Sequence, residues 1–301
     1  MSDLASRLAA LRRQAGVPAP RTSTPDETPA RGPVSVPTGA RDKPGLATLR
    51  RMAGVRERIA QPRSLQRPHT REVPGEEIAP GLRYIEHRFA WGEPPAELDL
   101  AFARLTTARR EHLLHFDTET TGLAGGTGTR AFMIGAADWY EGALRVRQLY
   151  ITAMAAESAM LRAFTGWIGT DTVLVSYNGK SYDAPLLATR YRLARLENPL
   201  KGLRHVDLLH PMRRRYRGVW ENCRMQTAER QLLRVVREDD LPGSEAPRAW
   251  LTYLRGGSSA NLARVAEHNL QDVRSLSGLL VHAHGWAASD VRHASPAGNE
   301  K

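Results

Sequence analysis

Hydrophobic and polar residues alternate with two periodicities along most of this chain. In one, hydrophobic residues recur at every second position; in the other, they recur at spacings of three and four. The first periodicity is typical of strands and the second of helices. Runs that suit strands occupy residues 82–89, 111–118, 131–140, 143–151, 172–177 and 205–209. Runs that suit helices occupy residues 98–108, 155–167, 185–196, 226–236, 246–254 and 262–281.

The order of these runs predicts the class of the fold. Glu141 and Gly142 separate the third and fourth strand runs, so we expect an antiparallel hairpin there. Strands that alternate with helices follow the hairpin. This order is typical of an α/β layered domain. We expect the domain to span residues 72–285 and to be followed by a flexible tail at residues 286–301.

The first 71 residues lack this patterning, apart from two short amphipathic segments near residues 4–11 and 46–59. The stretch holds 9 of the 19 prolines and no aromatic residue. Such a composition cannot bury enough surface to offset the entropy that is lost on ordering. We therefore expect residues 1–71 to form a disordered Pro- and Arg-rich tail. Its amphipathic segments would become helical only when their apolar faces pack against another surface.

The net charge of the chain is concentrated in this tail. The whole chain has 43 Lys and Arg against 32 Asp and Glu, a net charge of +11. Residues 1–71 alone contain 14 basic and 5 acidic residues. Strong basicity suggests a polyanionic partner, with nucleic acid favoured over an anionic membrane surface. The tail is then either a basic arm for nucleic acid or a partner protein, or simply a solvated tail.

Cysteine content and hydropathy exclude several classes of protein. A single cysteine, Cys223, forms neither an internal disulfide nor a Cys-rich zinc site. We find no apolar window of about 18 residues, the length of a membrane helix, and no apolar core of a signal peptide near the N-terminus. We therefore expect a soluble, cytoplasmic protein with no membrane association.

Acidic residues stand at three informative points, the first of them at a strand end. Asp117 and Glu119 lie where the run at residues 111–118 meets its loop, and a period of two places both on one face. Carboxylates in that position suit Mg²⁺ or Mn²⁺. Such a pair is also common at ordinary solvated strand ends.

The other two points lie on helices. Asp183 follows the turn at Asn178 and Gly179 and falls in the first turn of the next helix, where the helix dipole alone favours a carboxylate. His268 and Asp272 are four residues apart on one face of the last helix. That pair suits either an acid/base group beside a metal ligand or an ordinary pair on the helix surface.

Taken together, the three motifs resemble those of the DEDD (DnaQ-like) 3′–5′ exonucleases of the ribonuclease H-like superfamily, over about residues 80–284. The chain is similar in particular to the YprB-type ribonuclease H-like proteins at residues 120–129, 176–183 and 267–273, and the segment at residues 237–243 also resembles that group. The resemblance implies a ribonuclease H-like mixed β-sheet flanked by helices.

The resemblance also implies a role for each motif residue. Asp117, Glu119, Asp183 and Asp272 would ligate two divalent cations, Mg²⁺ or Mn²⁺, of which one activates a water and the other stabilises the leaving 3′ oxygen. His268 would take the place of the general base. It stands four residues before Asp272, which is the spacing of the Tyr-type enzymes, whereas the His-type enzymes use five.

Candidate substrate-binding residues flank the acidic motifs. The resemblance puts Thr120, Thr121 and Gly122 beside the terminal nucleotide and Leu123 against a base, although the same residues also suit a flexible turn. The loop lacks the Gly-Lys-Ser/Thr ending of a phosphate loop. Two further candidates for a phosphate contact are Asn178, which alternatively only shapes its turn, and Lys180. For His205 and Asp207, both packing and tuning of the site stay open.

These observations predict a metal-dependent nuclease that hydrolyses phosphodiester bonds, acting as a 3′–5′ exonuclease on single-stranded DNA or RNA. Two alternatives stay open. One is a non-catalytic nucleic-acid-binding or scaffold module with the same fold. The other is a structure-specific endonuclease, because ribonuclease H-like sites support both modes of attack.

Overall fold

The structure of the protein, a computed structural model, describes residues 70–90, 94–122, 127–237 and 240–286. The predictions for the N-terminal tail before residue 70, for Leu123 and for the C-terminal tail after residue 286 lie outside these ranges. The proposed domain boundaries therefore stay predictions.

The strands and helices follow the predicted α/β order. The strands are β1 (Glu76–Ala79), β2 (Leu82–Ala90), β3 (Glu97–Leu98), β4 (Ala108–Arg109), β5 (Leu113–Thr120), β6 (Ala131–Tyr140), β7 (Ala143–Ile151), β8 (Val173–Ser176) and β9 (Arg204–Asp207). The α-helices are α1 (Glu157–Thr165), α2 (Asp183–Leu193), α3 (Leu209–Tyr216), α4 (Met225–Ala228), α5 (Ala246–Leu254) and α6 (Ala260–His284). Helix α4 continues as one π-helical turn, Glu229–Leu233. None of the described helices combines the length and the hydropathy that a membrane span needs.

Among the described strands, seven form a mixed sheet in the order β1-β2-β7-β6-β5-β8-β9. Strand β5 pairs antiparallel with β6 on one side and parallel with β8 on the other, and β8 pairs parallel with β9. Because β5, β8 and β9 run in one direction, their carboxyl-terminal ends lie at the same edge of the sheet. Strands β3 and β4 form a separate two-stranded ribbon.

Hydrophobic clusters cover both faces of this sheet. Leu113 of β5 belongs to one cluster and Leu114 to the other, as do Val173 and Leu174 of β8. Neighbouring residues of a strand point to opposite faces, so the two clusters lie on opposite sides of the sheet. Helices α1, α2 and α5 contribute to the first cluster, α3 to the second, and the long helix α6 to both.

A glycine in β6 lets α6 approach the sheet closely. A β-carbon at Gly135 would lie 2.0 Å from Asn269 Oδ1 and 2.9 Å from the Val273 side chain. Gly135 pairs across the sheet with Asp117 of β5. The missing side chain therefore makes room for Asn269 directly beside the strand that carries the first acidic pair.

Most of the predicted elements are confirmed, including the hairpin of β6 and β7 and the bounds of α5. The helix predicted at residues 98–108 is wrong. Asp99 Oδ1 instead accepts the backbone N–H of Ala101 at 2.8 Å, and Arg104 adopts a left-handed φ of 60°, so only one 3₁₀ turn forms. Strands β1, β3 and β4 and helix α3 were not predicted.

We expect Gly135→Ala to lower the free energy of unfolding by about 1–3 kcal/mol, because the new methyl group would overlap Asn269 and Val273. Urea denaturation followed by circular dichroism measures this loss. Gly169→Ala is the matched control, since the nearest atom to its added β-carbon is 3.9 Å away. Equal stability of the two variants would contradict the proposed close approach.

Candidate active site

Four carboxylates from three elements meet at the carboxyl-terminal edge of the central strands. Asp117 and Glu119 lie on β5, Asp183 is the first residue of α2, and Asp272 lies midway along α6. Glu119, Asp183 and Asp272 are less than a tenth exposed, and Asp117 is partly buried. Asp117 experiences the charge of each of the other three. The structure thus brings together the four acidic residues that the motifs singled out.

The side chain of Asn269 holds Asp117 in place. Its Nδ2 donates to Asp117 Oδ2 at 3.0 Å. Gln148 Nε2 donates to Asn269 Oδ1 at 3.0 Å and to the carbonyl of Ala266 at 2.8 Å. Because Gln148 occupies the oxygen of the Asn269 amide, its nitrogen faces the carboxylate. Sequence reasoning missed both residues, although Asn269 directly follows His268.

Asp183 is held by a neighbour on β5. The hydroxyl of Thr118 donates to Asp183 Oδ1. A β-carbon at Gly179 would lie 2.4 Å from Ser176 Oγ and 3.2 Å from Asp183 Oδ2. Glycine is therefore required where the turn after β8 passes between that strand and the first turn of α2.

Asp207, at the end of β9, fixes the same turn. Its Oδ1 accepts the N–H of Asn178 at 2.7 Å and its Oδ2 accepts the N–H of Lys180 at 3.1 Å. Asn178 adopts a left-handed φ of 69°, which asparagine tolerates well. The side chains of Asn178 and Lys180 are exposed. Asp207 thus holds the backbone of this turn, and the choice between packing and tuning of the site stays open for it and for His205.

His268 lies between two carboxylates. Its Nδ1 is 2.7 Å from Asp240 Oδ1, and its Nε2 is 3.6 Å from Asp272 Oδ2. Its pKa is lowered by burial but raised more strongly by Asp272, Glu119 and Asp240, so that the net shift is upward. The candidate base therefore faces the carboxylate cluster through its Nε2 edge.

Arg237 supplies a second positive charge, and sequence reasoning gave it no role. Its guanidinium donates to Glu229 at 2.9 and 2.5 Å, to Asp240 Oδ2 at 3.1 Å, and to Asp272 Oδ1. The side chain of Glu229 is fully buried and that of Arg237 is 8% exposed. One guanidinium thus joins Asp272 to two carboxylates outside the predicted set. The only signal for it in the sequence is the motif-like segment at residues 237–243.

The carboxylates resist ionisation. Burial raises the pKa of Glu119 to about 8, with Asp272 and Asp183 adding to the shift against the opposing charge of His268. Burial raises the pKa of Asp183 to about 6, against the hydrogen bond from Thr118. The pKa of Asp117 is raised well above its usual value by burial and by its three acidic neighbours. That of Asp272 is raised by burial, despite Arg237 and His268.

The chemistry of this donor set fits divalent cations such as Mg²⁺ or Mn²⁺. All four groups offer oxygen ligands, which these ions prefer, and a cation among them would relieve their mutual repulsion. The positions of the side chains fit a metal ion less well than their chemistry does. Within the described ranges, no group of three or more His, Cys, Asp or Glu side chains stands ready to hold a metal ion. The fit is therefore one of charge and ligand type, and Asp272 already has Arg237 as a partner.

The turn after β5 is held by hydroxyl groups. Thr120 Oγ1 donates to the carbonyl of Gly122 at 3.0 Å, and Tyr182 Oη donates to the same carbonyl at 2.8 Å. Thr121 Oγ1 accepts the N–H of Arg130 at 3.0 Å. Three of the predicted substrate residues therefore belong to an organised turn. Tyr182, two residues after Lys180, is a further member that the motifs did not identify.

A buried ion pair supports the far end of this loop. Arg190 donates to both carboxylate oxygens of Glu157 at 2.5 and 2.7 Å, and to the carbonyl of Thr127 at 2.9 Å. Arg130 donates to the same carboxylate. Helices α1 and α2 thus fix the chain where it enters β6.

The match to a known family covers the whole of this site. A model of the RNase H superfamily matches residues 114–284, which include all four carboxylates and His268. The chain belongs to the RNase H superfamily. The mixed sheet flanked by helices agrees with the ribonuclease H-like fold, so that prediction is confirmed.

Similar proteins are found both by sequence and by structure. The uncharacterized protein YprB of Bacillus subtilis (strain 168) is 36% identical over 174 residues, which are 58% of this chain and 42% of YprB. The predicted similarity to YprB-type proteins of the RNase H superfamily is therefore confirmed. This chain nevertheless aligns with less than half of the length of that relative.

Two solved structures have weaker likenesses. The family B DNA polymerase of Pyrobaculum calidifontis has a TM-score of 0.45 at 14% identity, covering 64% of this chain and 28% of the polymerase. E. coli exonuclease I in complex with a dT13 oligonucleotide has a TM-score of 0.36 at 16% identity, covering 60% of this chain and 42% of the exonuclease. Likenesses of this size do not identify an activity.

We expect the stability of the metal-free protein to fall as the pH rises. Glu119 and Asp183 have folded pKa values of about 8 and about 6, and ordinary values of about 4 when unfolded. The folded state binds more protons, so their contribution is complete below about pH 4 and is lost as the pH passes 6 and then 8. Urea denaturation in EDTA at several pH values measures this loss.

The double variant Glu119→Gln, Asp183→Asn is the control for that experiment, because its amides do not titrate. Its stability should depend less on pH over the same range. An identical pH dependence in the variant and the parent protein would show that these two carboxylates are not the source.

Replacing Arg237 by Met should lower the free energy of unfolding by about 3–5 kcal/mol, because it leaves buried Glu229 without its cation. Thermal and urea denaturation measure the loss. Arg230→Met is the matched control, since its pair with Glu221 is 50% and 61% exposed. Exposed pairs contribute up to about 1 kcal/mol. Similar losses for both variants would contradict a special role for Arg237.

Proposed function

We propose that this protein is a two-metal-dependent nuclease of the DEDD (DnaQ-like) type that acts as a 3′–5′ exonuclease on single-stranded DNA or RNA. The observation that carries the proposal is the meeting of Asp117, Glu119, Asp183 and Asp272 at one edge of an RNase H superfamily sheet. These carboxylates come from three different elements, so ordinary strand-end or helix-dipole preferences do not account for the cluster.

The charge of the cluster supports a metal-dependent reaction. A phosphodiester is anionic, and four carboxylates would repel it unless cations lay between them. Divalent cations held by these four residues would supply an activated water and charge stabilisation for the leaving 3′ oxygen. The carboxylates themselves provide oxygen ligands, and Asn269 and Thr118 orient two of them.

His268 is proposed as the general base. Its Nε2 lies on the carboxylate side of the ring, 3.6 Å from Asp272 Oδ2, where a water at the cluster would be within reach. The role of the ring is then to hold at Nε2 the proton removed from the attacking water. Its spacing of four residues from Asp272 places both side chains on the same face of α6.

Substrate binding is assigned to the two loops that border the cluster. Thr120, Thr121 and Gly122 form the organised turn after β5, and we propose that they lie beside the terminal nucleotide, with Leu123 contacting its base. Asn178 and Lys180 project from the turn that Asp207 fixes, so an exposed amide and an exposed ammonium group are available to a phosphate.

A non-catalytic nucleic-acid-binding module is the second candidate. It is favoured by the contact between Arg237 and Asp272 Oδ1, since a guanidinium there can substitute for a cation as the partner of that carboxylate. In either case the partner is nucleic acid, and residues 1–71 are proposed as a basic arm that adds to its binding or recruits a partner protein.

Purified protein with Mg²⁺ or Mn²⁺ should shorten 5′-labelled single-stranded DNA or RNA to a ladder that recedes from the 3′ end. Asp117→Asn should reduce the rate by roughly 10³-fold or more, because it removes a charged ligand while keeping the shape of the side chain. Asp138→Asn is the matched control, because Asp138 pairs with Arg145 on the neighbouring strand and is not part of the cluster.

Each result of this assay decides between the candidates. A single internal cut in structured substrates would indicate an endonuclease. Binding without cleavage under any condition would overturn the enzymatic proposal and favour the binding module. Cleavage that persists in Asp117→Asn would show that the activity comes from elsewhere.

A further inference from the structure

We propose that Asp240 is a positioning residue that keeps the proton of His268 on Nδ1 and so leaves Nε2 free to accept one. Its kinetic consequence rests on the proposed nuclease function, whereas the assignment of the proton does not. Asp240 lies outside the acidic motifs and approaches α6 from the segment that follows the π-helical turn.

The geometry around the ring determines which nitrogen carries the proton. Asp240 Oδ1 is 2.7 Å from Nδ1. An ionised carboxylate only accepts hydrogen bonds, so Nδ1 must be the donor in this contact. Asp272 Oδ2 is 3.6 Å from Nε2, too far for a hydrogen bond that would hold the proton there. Of the two neutral forms of the ring, the structure therefore favours the one with Nδ1 protonated.

One competing contact involves Arg237. Its Nη1 lies 3.3 Å from His268 Nδ1, and as a donor it would need that nitrogen to be unprotonated. That arrangement would leave Asp240 Oδ1 facing a lone pair at 2.7 Å. The same Nη1 has an acceptor in Asp240 Oδ2 at 3.1 Å. The shorter contact and the available acceptor both assign the proton to Nδ1.

Asp240 is itself held by Arg237, through the carboxylate oxygen that does not face His268. Arg237 bridges it to Glu229, which is fully buried, so the four residues form a chain of alternating charge that ends at the imidazole. Because the carboxylate cannot rotate away without losing Arg237, its other oxygen stays aimed at His268. The motif segment at residues 237–243 thereby acquires a role in the acid–base chemistry.

Because of this row of charged residues, an amide at position 240 should have a defined effect on which nitrogen of His268 carries the proton. Arginine only donates, so the oxygen of Asp240→Asn should stay on Arg237 and its NH₂ group should face His268. The NH₂ group donates to Nδ1, which must then be unprotonated. The isosteric variant should therefore move the proton to Nε2. A residue that merely tethers the segment to α6 would instead tolerate the amide without changing the ring.

Long-range ¹H–¹⁵N NMR of the full chain labelled with ¹⁵N-histidine tests the assignment directly. Spectra are recorded without metal in alkaline buffer, where the imidazole is neutral, and His268→Gln identifies the signal. We expect the Nδ1–H form in the parent protein and in Asp138→Asn, and the Nε2–H form in Asp240→Asn. The Nε2–H form in the parent protein, or an unchanged form in Asp240→Asn, would overturn the proposal.

Kinetics on the same proteins test the consequence. Asp240→Asn should lower kcat by on the order of 10²–10⁴-fold, because the nitrogen that must accept a proton already carries one. KM should be nearly unchanged, since no substrate contact is removed. If Asp240→Asn carries the proton on Nε2 and its kcat is nevertheless unchanged, the positioning role is overturned. Absence of nuclease activity in the parent protein would remove the proposed function, while the spectra would still decide which nitrogen of His268 carries the proton.

Discussion

Electrostatic repulsion among four largely buried carboxylates is the constraint that the rest of the site must satisfy. Each of them is harder to ionise than a carboxylate in water, and three of them accept a hydrogen bond from a different neighbour. Asn269 donates to Asp117, Thr118 to Asp183, and Arg237 to Asp272. Clusters of like charge are unfavourable for stability, so their presence at a sheet edge is best understood as a requirement of function.

The fold brings the carboxylates together by close packing of backbone. Strands β5 and β8 run in parallel, β5 continues past the end of β8 to Thr120, and α6 packs against both strands. Two glycines make the approach possible, Gly135 beneath Asn269 and Gly179 between β8 and the start of α2. The same close packing buries the cluster, and burial is accordingly the largest cause of the raised pKa values.

A second layer of charge surrounds the first. Glu229, Arg237 and Asp240 form a chain of charged hydrogen bonds, buried at Glu229, that reaches both His268 and Asp272. Arg237 partly neutralises Asp272, whereas Asp240 orients the imidazole. A divalent cation at Asp272 would have to share that carboxylate with Arg237. The affinity of the site for metal and the position of its base are therefore coupled through one guanidinium.

Local pattern was sufficient for most of the elements and for choosing the four acidic residues, because periodicity and turn residues act over a few positions. It failed at residues 98–108, where Asp99 and Arg104 stop a helix that the apolar spacing alone favours. The sequence by itself determined which carboxylates end a strand or begin a helix, and the family that they resemble. Only the tertiary structure decided that Arg237 meets Asp272 and that Asp240 meets His268, 35 and 28 residues away. Such contacts depend on how an irregular segment packs against α6, which no spacing along the chain encodes.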